Sequence, residues 1–136
     1  MTLAAAHASI RLRFTSQWGV TTPVQEPNVK FDAPETSPWV RLSIADADAR
    51  WASMGAPGNN IERHLGQVTV SIFVPSGDGE GRALEYADQV KAIFRSWRDA
   101  STGVRFRVPP YARLIGVDGK WYQVNVVAPF EFDDFN

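Results

Sequence analysis

The chain is 136 residues long, with 14 Lys and Arg against 15 Asp and Glu and no cysteine. A domain of that size buries roughly two-thirds of its unfolded surface in one core. Balanced charge argues against a general nucleic-acid binder, and the missing thiols exclude a disulfide scaffold, a thiol nucleophile and any Cys-ligated metal.

Apolar residues at 44% and charged residues at 21% describe a folded domain rather than a disordered one. Apolar runs are only a few residues long, far short of the ~20 needed to span a bilayer. The start, Met1-Thr2-Leu3-Ala4-Ala5-Ala6-His7, has neither a basic region nor a long apolar one, which predicts no secretory signal and a soluble cytoplasmic chain.

Leu3, Ala6, Ile10 and Phe14 recur at helical spacing among strong helix formers, predicting a helix over 3–18 that Gly19 stops. From Val24 to Phe31 the chain reads as extended, but Pro23 and Pro27 restrict it to an edge strand. Trp39 to Ile44 alternates apolar and polar residues, as a strand does. Ala45 to Arg63 then loses all periodicity and reads as a long loop. Gln67 to Val74 returns to strict alternation, and Pro75-Ser76-Gly77-Asp78-Gly79 ends that strand. Ala83, Leu84, Ala87, Val90, Phe94 and Trp97 share one face of a helix over about 81–97. Val104 to Leu114 reads as a strand interrupted by Pro109-Pro110, and Asp118-Gly119 marks a hairpin leading into a last strand, Trp121 to Phe130.

This order predicts an α+β fold: a mainly antiparallel sheet of four to five strands with two helices packed on one face. It is a single domain over 1–136, with a long interaction loop at about 46–62. The 12% aromatic content is split between core and interface, with core the larger share.

The search for chemistry finds little. Gly77-Asp78-Gly79-Glu80-Gly81 sits between a strand and a helix but has neither phosphate-loop spacing, and its two acids would repel phosphate. His7 and His64 have no partner at metal-ligand spacing, and Asp46-Ala47-Asp48 fails the calcium-loop pattern. There is no nucleophile elbow, and Asp133-Asp134 lies at a frayed end. These patterns predict no enzyme, cofactor or metal.

Charge is unevenly placed. Arg82, Lys91, Arg95, Arg98, Arg105, Arg107 and Arg113 face only Glu85, Asp88 and Asp99 in the same stretch, whereas Asp118, Glu131, Asp133 and Asp134 dominate the end. Such a split suits head-to-tail contact between copies in a closed ring.

Several motifs carry a resemblance. Pro27-Asn28-Val29-Lys30-Phe31 leads into Trp39-Val40-Arg41-Leu42; Gly66-Gln67-Val68-Thr69-Val70 and Val74-Pro75-Ser76-Gly77-Asp78-Gly79 follow. Ala87-Asp88, Phe94 and Gly119-Lys120-Trp121-Tyr122 complete the set. In their order and spacing, over about residues 5 to 130, these resemble the small tail terminator proteins of long-tailed, siphovirus-like bacteriophages, with the lambda-type terminator fold. The resemblance implies a virion protein of the tail neck, assembled in the host cytoplasm. It implies a hexameric ring that caps the head-proximal end of the tail tube, halts tube polymerisation and docks the head-tail connector or stopper protein. Its partners are then further copies of the chain, the tube protein and the connector, with no membrane, no cofactor and no sequence-specific nucleic acid, though DNA passes through such a ring. The nearest alternative is a connector or tail-completion protein of the neck; a more distant one is a small α+β bacterial enzyme with a site gathered around His64.

On this reading, Arg50, Trp51, Met54, Asn59 and Asn60 are the expected tube or connector contacts, because Trp and Arg dominate interface energetics and Met adapts to a partner's shape. Arg95, Arg98, Arg105 and Arg107 are expected to meet Glu131, Asp133 or Asp134 of a neighbouring subunit.

Overall fold

The structure is a computed structural model that describes residues 2–135. Helix α1 spans Leu3–Trp18. The Thr2 hydroxyl accepts the Ala5 N–H at 3.1 Å to cap its start, and Gly19, at φ 60°, closes it with an N–H bonded to the Thr15 carbonyl. The buried stripe is Ala6, Ile10, Phe14 and Trp18, a strict fourth-residue repeat, so Leu3 stays exposed at the helix start.

Five strands follow: β1 (Val24–Gln25), β2 (Trp39–Trp51), β3 (Ile61–Pro75), β4 (Tyr111–Asp118) and β5 (Trp121–Phe135), with helix α2 (Gly81–Phe94) between β3 and β4. They form one sheet in the order β1-β2-β3-β5-β4, antiparallel except for the short parallel pairing of β1 with β2. The predicted α+β class, a mainly antiparallel sheet carrying two helices, is therefore what the chain adopts.

Both helices sit on one face. Val40 and Leu42 of β2, Val68, Val70, Ile72 and Val74 of β3, and Val124, Val126, Ala128, Phe130 and Phe132 of β5 point into a single core shared with α1 and α2. The aromatic surplus goes mainly here. Successive ring contacts run from Trp18 through Phe14, Phe94, Phe106, Phe130 and Phe132 to His64, with centroids 4.8–6.5 Å apart. The opposite, helix-free face is partly covered by a second aromatic group, in which Trp39 stacks on Phe73 at 4.2 Å and contacts Phe31 and Trp121.

Three expectations need correction. The predicted loop at 46–62 is about half strand: β2 runs on to Trp51 and β3 begins at Ile61, leaving 52–60 as the connection. Alternation fails there because Asp46 to Trp51 are exposed on both faces, so neither face demands apolar residues; a bulge at Ala47, between Asp46 and Asp48, also shifts the phase. The second helix ends at Phe94 rather than Trp97, because Ser96 takes a left-handed φ of 57°. Finally, Val104–Val108 is no regular strand. It makes one reciprocal pair of backbone hydrogen bonds on one side, Arg105 with Glu131, both 3.0 Å. On the other side it makes two bonds to the 97–99 segment, Asp99 N–H to the Val104 carbonyl at 2.8 Å and Phe106 N–H to the Trp97 carbonyl at 3.0 Å, before Pro109-Pro110 and the start of β4.

Candidate functional site

The β2–β3 hairpin presents the most prominent surface feature. Its connection is built by local hydrogen bonds: the Ala52 N–H donates to the Ile61 carbonyl at 2.7 Å, the Ser53 hydroxyl accepts the Ile61 N–H at 2.8 Å, and the Asn60 side chain accepts the Ala56 N–H at 2.9 Å. Gly55 and Gly58, at φ 92° and 85°, make the reversals. The residues predicted as contacts thus divide. Trp51 and Met54 stand out at 52% and 78% exposure, and Arg50 and Asn59 are also exposed, whereas Asn60 spends its carbonyl oxygen holding the turn. Across the ladder Trp51 pairs with Glu62, and Ile61 with Phe135, so the tip rests on three hydrogen-bonded strands.

A cluster of charge occupies the helix-free face below this tip. Arg63 grips Asp133 with two hydrogen bonds, 2.8 and 3.1 Å. Arg105 bonds Glu131 at 3.2 Å and Asp133 at 3.3 Å, and Arg107 bonds Glu131 at 2.8 Å. Arg105 and Arg107 therefore meet Glu131 and Asp133 of their own chain, where a neighbouring subunit's acids were expected. The basic middle and acidic end are distant in sequence but adjacent in the sheet, because the 104–107 segment lies against β5. Arg95 and Arg98 are exposed and, among the described residues, make no ion pair; Asp134 lies on the opposite sheet face, in register with Glu62. Arg63 was missed because it fell in the supposed loop; its place opposite Asp133 follows once β3 is extended to Ile61.

The network holds its acids ionised. The Arg63 hydrogen bond lowers Asp133 below the usual carboxylate range, outweighing burial. Burial pushes Glu131 up, but hydrogen bonds and charge from Arg107 and Arg105 more than offset this and leave it lowered. Asp99, in the turn after α2, is lowered further by hydrogen bonds from the Ser9 and Thr102 hydroxyls, so it ties α1 to that turn. Each depressed group contributes stability that is complete above its unfolded value, 3.8 for aspartate and 4.5 for glutamate, and is lost as pH falls through the folded value. Thermal melts should therefore hold steady from neutral pH to about pH 5 and then drop steeply. Asp99→Asn should melt lower at pH 7 and lose less on acidification; parallel pH curves for parent and variant would refute this.

The 77–81 segment turns the chain into α2, with Gly77 and Gly79 at φ 93° and 79° and Glu80 accepting the Tyr122 hydroxyl at 3.0 Å. Among the described residues no group of three His, Asp or Glu could hold a metal ion, and no helix is long and apolar enough to cross a membrane. His64 stacks on Phe132 and reaches Glu62 at 2.8 Å, a structural use of the imidazole. A recess of about 260 Å³ opens on the helix-free face, lined by apolar Leu65, Val108, Pro129 and Phe130 and by the charged Arg105, Arg107 and Glu131.

One solved structure superposes with a TM-score of 0.70 at 19% identity, covering 96% of this chain and 97% of that one, a likeness of fold. A search of curated proteins gives no significant match. A family model described as phage tail terminator protein matches residues 5–130. The match runs from the first turn of α1 to Phe130 of β5 and takes in all or most of every element described above. The chain belongs to the phage tail terminator family, structural rather than enzymatic components of the virion tail.

Proposed function

We propose that the chain is the subunit of a hexameric ring that caps the head-proximal end of the tail tube, stops its polymerisation and offers the head connector a docking surface. The hairpin carries this reading. A stiff three-stranded arm ends in exposed Trp51 and Met54, flanked by Arg50 and Asn59, the residue types that make tight contacts with another protein. Large apolar groups at the end of a well-built arm, with no core behind them, are costly to leave in water unless a partner covers them. The tube rim or the connector is that partner, and assembly takes place in the host cytoplasm before head joining.

The test adds purified protein to tubes growing on their tape measure. The protein should sit at one end only, and tube growth should stop. In light scattering, the assembled ring should weigh six times the 15.1 kDa chain. Tubes that neither recruit the protein nor stop growing would reject the proposal.

A further inference from the structure

The sheet has two open edges. Among the described residues, β1 covers β2 only at Val40 and Arg41, so β2 beyond Arg41 has no neighbour on its outer side. All of β4 is likewise open. Edge strands are normally blunted by brevity, proline or inward charge. Instead, β4 exposes Tyr111, Leu114, Ile115 and Val117 at 48–67%.

These two edges match. β4 runs antiparallel to β5, β5 to β3 and β3 to β2, so β4 is antiparallel to β2. A rotation about an axis along the strands therefore lays β4 of one copy antiparallel to β2 of the next, with the helices of both on the same side. We infer that the chain joins a second copy of itself in this way, β4 against the outer edge of β2, continuing the sheet from subunit to subunit. The inference rests on the ring reading and names the surface that closes the ring.

One register satisfies both strands. With Arg113 beside Asp48 on the helix-free face, Tyr111 falls beside Arg50 on the same face and Ala112 beside Ala49 on the other. Opposite charges meet in the first pair, and a guanidinium meets a ring in the second. Each strand then has one bulged residue, Ile115 in β4 and Ala47 in β2, and the two bulges fall at adjacent positions, Ala47 beside Leu114 and Ile115 beside Asp46. Beyond them the faces stay matched: Val117 lies beside Ile44 on the helix side, and Asp118 beside Ser43 on the other. Arg50 then serves this junction, leaving Trp51 and Met54 to the tip.

Because the chain has no cysteine, a cross-link can be introduced cleanly. Arg113→Cys/Asp48→Cys, oxidised with tail tubes present, should give a ladder of covalent oligomers ending in a closed ring. Both positions are exposed, and a melt confirms folding. As a second measure, Arg113→Asp should cut the assembled fraction at least about tenfold, and adding Asp48→Arg should restore it. Ring-sized assemblies without a ladder would overturn the edge pairing and leave the ring reading standing. Covalent dimers from Arg113→Cys alone would show β4 pairing with itself, which also overturns it. A parent chain that stays monomeric even with tubes removes both readings.

Discussion

Gly66→Ala is expected to cost about 3 kcal/mol of stability and to lower the melting temperature by roughly 10 °C. Gly66 sits in the middle of β3, with Asp46 of β2 on one side and Phe130 of β5 on the other. A methyl group there would lie 2.6 Å from the Ala45 carbonyl oxygen and 2.6 Å from Cζ of Phe130. The first contact is backbone within a hydrogen-bonded ladder and has little room to give. The second is a buried ring held between Phe106 and Phe132, so moving it disturbs the core contacts beyond it. The requirement is therefore space, not backbone conformation. Gly81 is a fair control: an added Cβ there meets nothing within 4 Å, so Gly81→Ala should be neutral or slightly stabilising. Calorimetry on both variants decides the matter; a Gly66→Ala protein that melts with the parent would show that β2 and β5 yield easily at this point.

Trp51→Ala/Met54→Ala is expected to lose end-capping of tail tubes while keeping the parent's melting temperature. Both side chains are more than half exposed, so their removal should change stability by no more than about 0.5 kcal/mol. At an interface the same truncation of a tryptophan anchor costs about 2 kcal/mol or more, which is roughly a 30-fold weaker association. The measurement is the length distribution of tubes grown with each protein. Tubes as short and uniform with the variant as with the parent would place the contact elsewhere, and a variant that melts early would mean that the tip folds back onto its own sheet.

The elements whose side chains face the core were legible in the sequence. Ala6, Ile10 and Phe14 show their helical spacing, Val68, Val70, Ile72 and Val74 their alternation, and both place residues that are buried as the pattern requires. Burial imposes periodicity, and periodicity is what a sequence displays. The far half of the β2–β3 hairpin has no such constraint. Asp46 to Trp51 and Ile61 to Leu65 are held by backbone ladder and cross-strand pairs, with little of either strand buried there, so the same residues read as an irregular loop.

The family of the chain, structural rather than enzymatic, also came through, since it rests on residue types and on the order of glycines, prolines and apolar positions along the chain. What only the tertiary structure decided was who meets whom. The sequence by itself determined that Arg105 and Arg107 lie in a basic stretch and Glu131 and Asp133 in an acidic one. Folding laid the 104–107 segment against β5 and turned that separation into contacts within one chain. It likewise brought Arg63 to Asp133, set the bulges of β2 and β4, and left two sheet edges open. The physical reason is range. Helical faces and strand alternation are set between residues a few positions apart, whereas pairing across a sheet joins residues many positions distant, and its register is settled only when all the strands pack on one core.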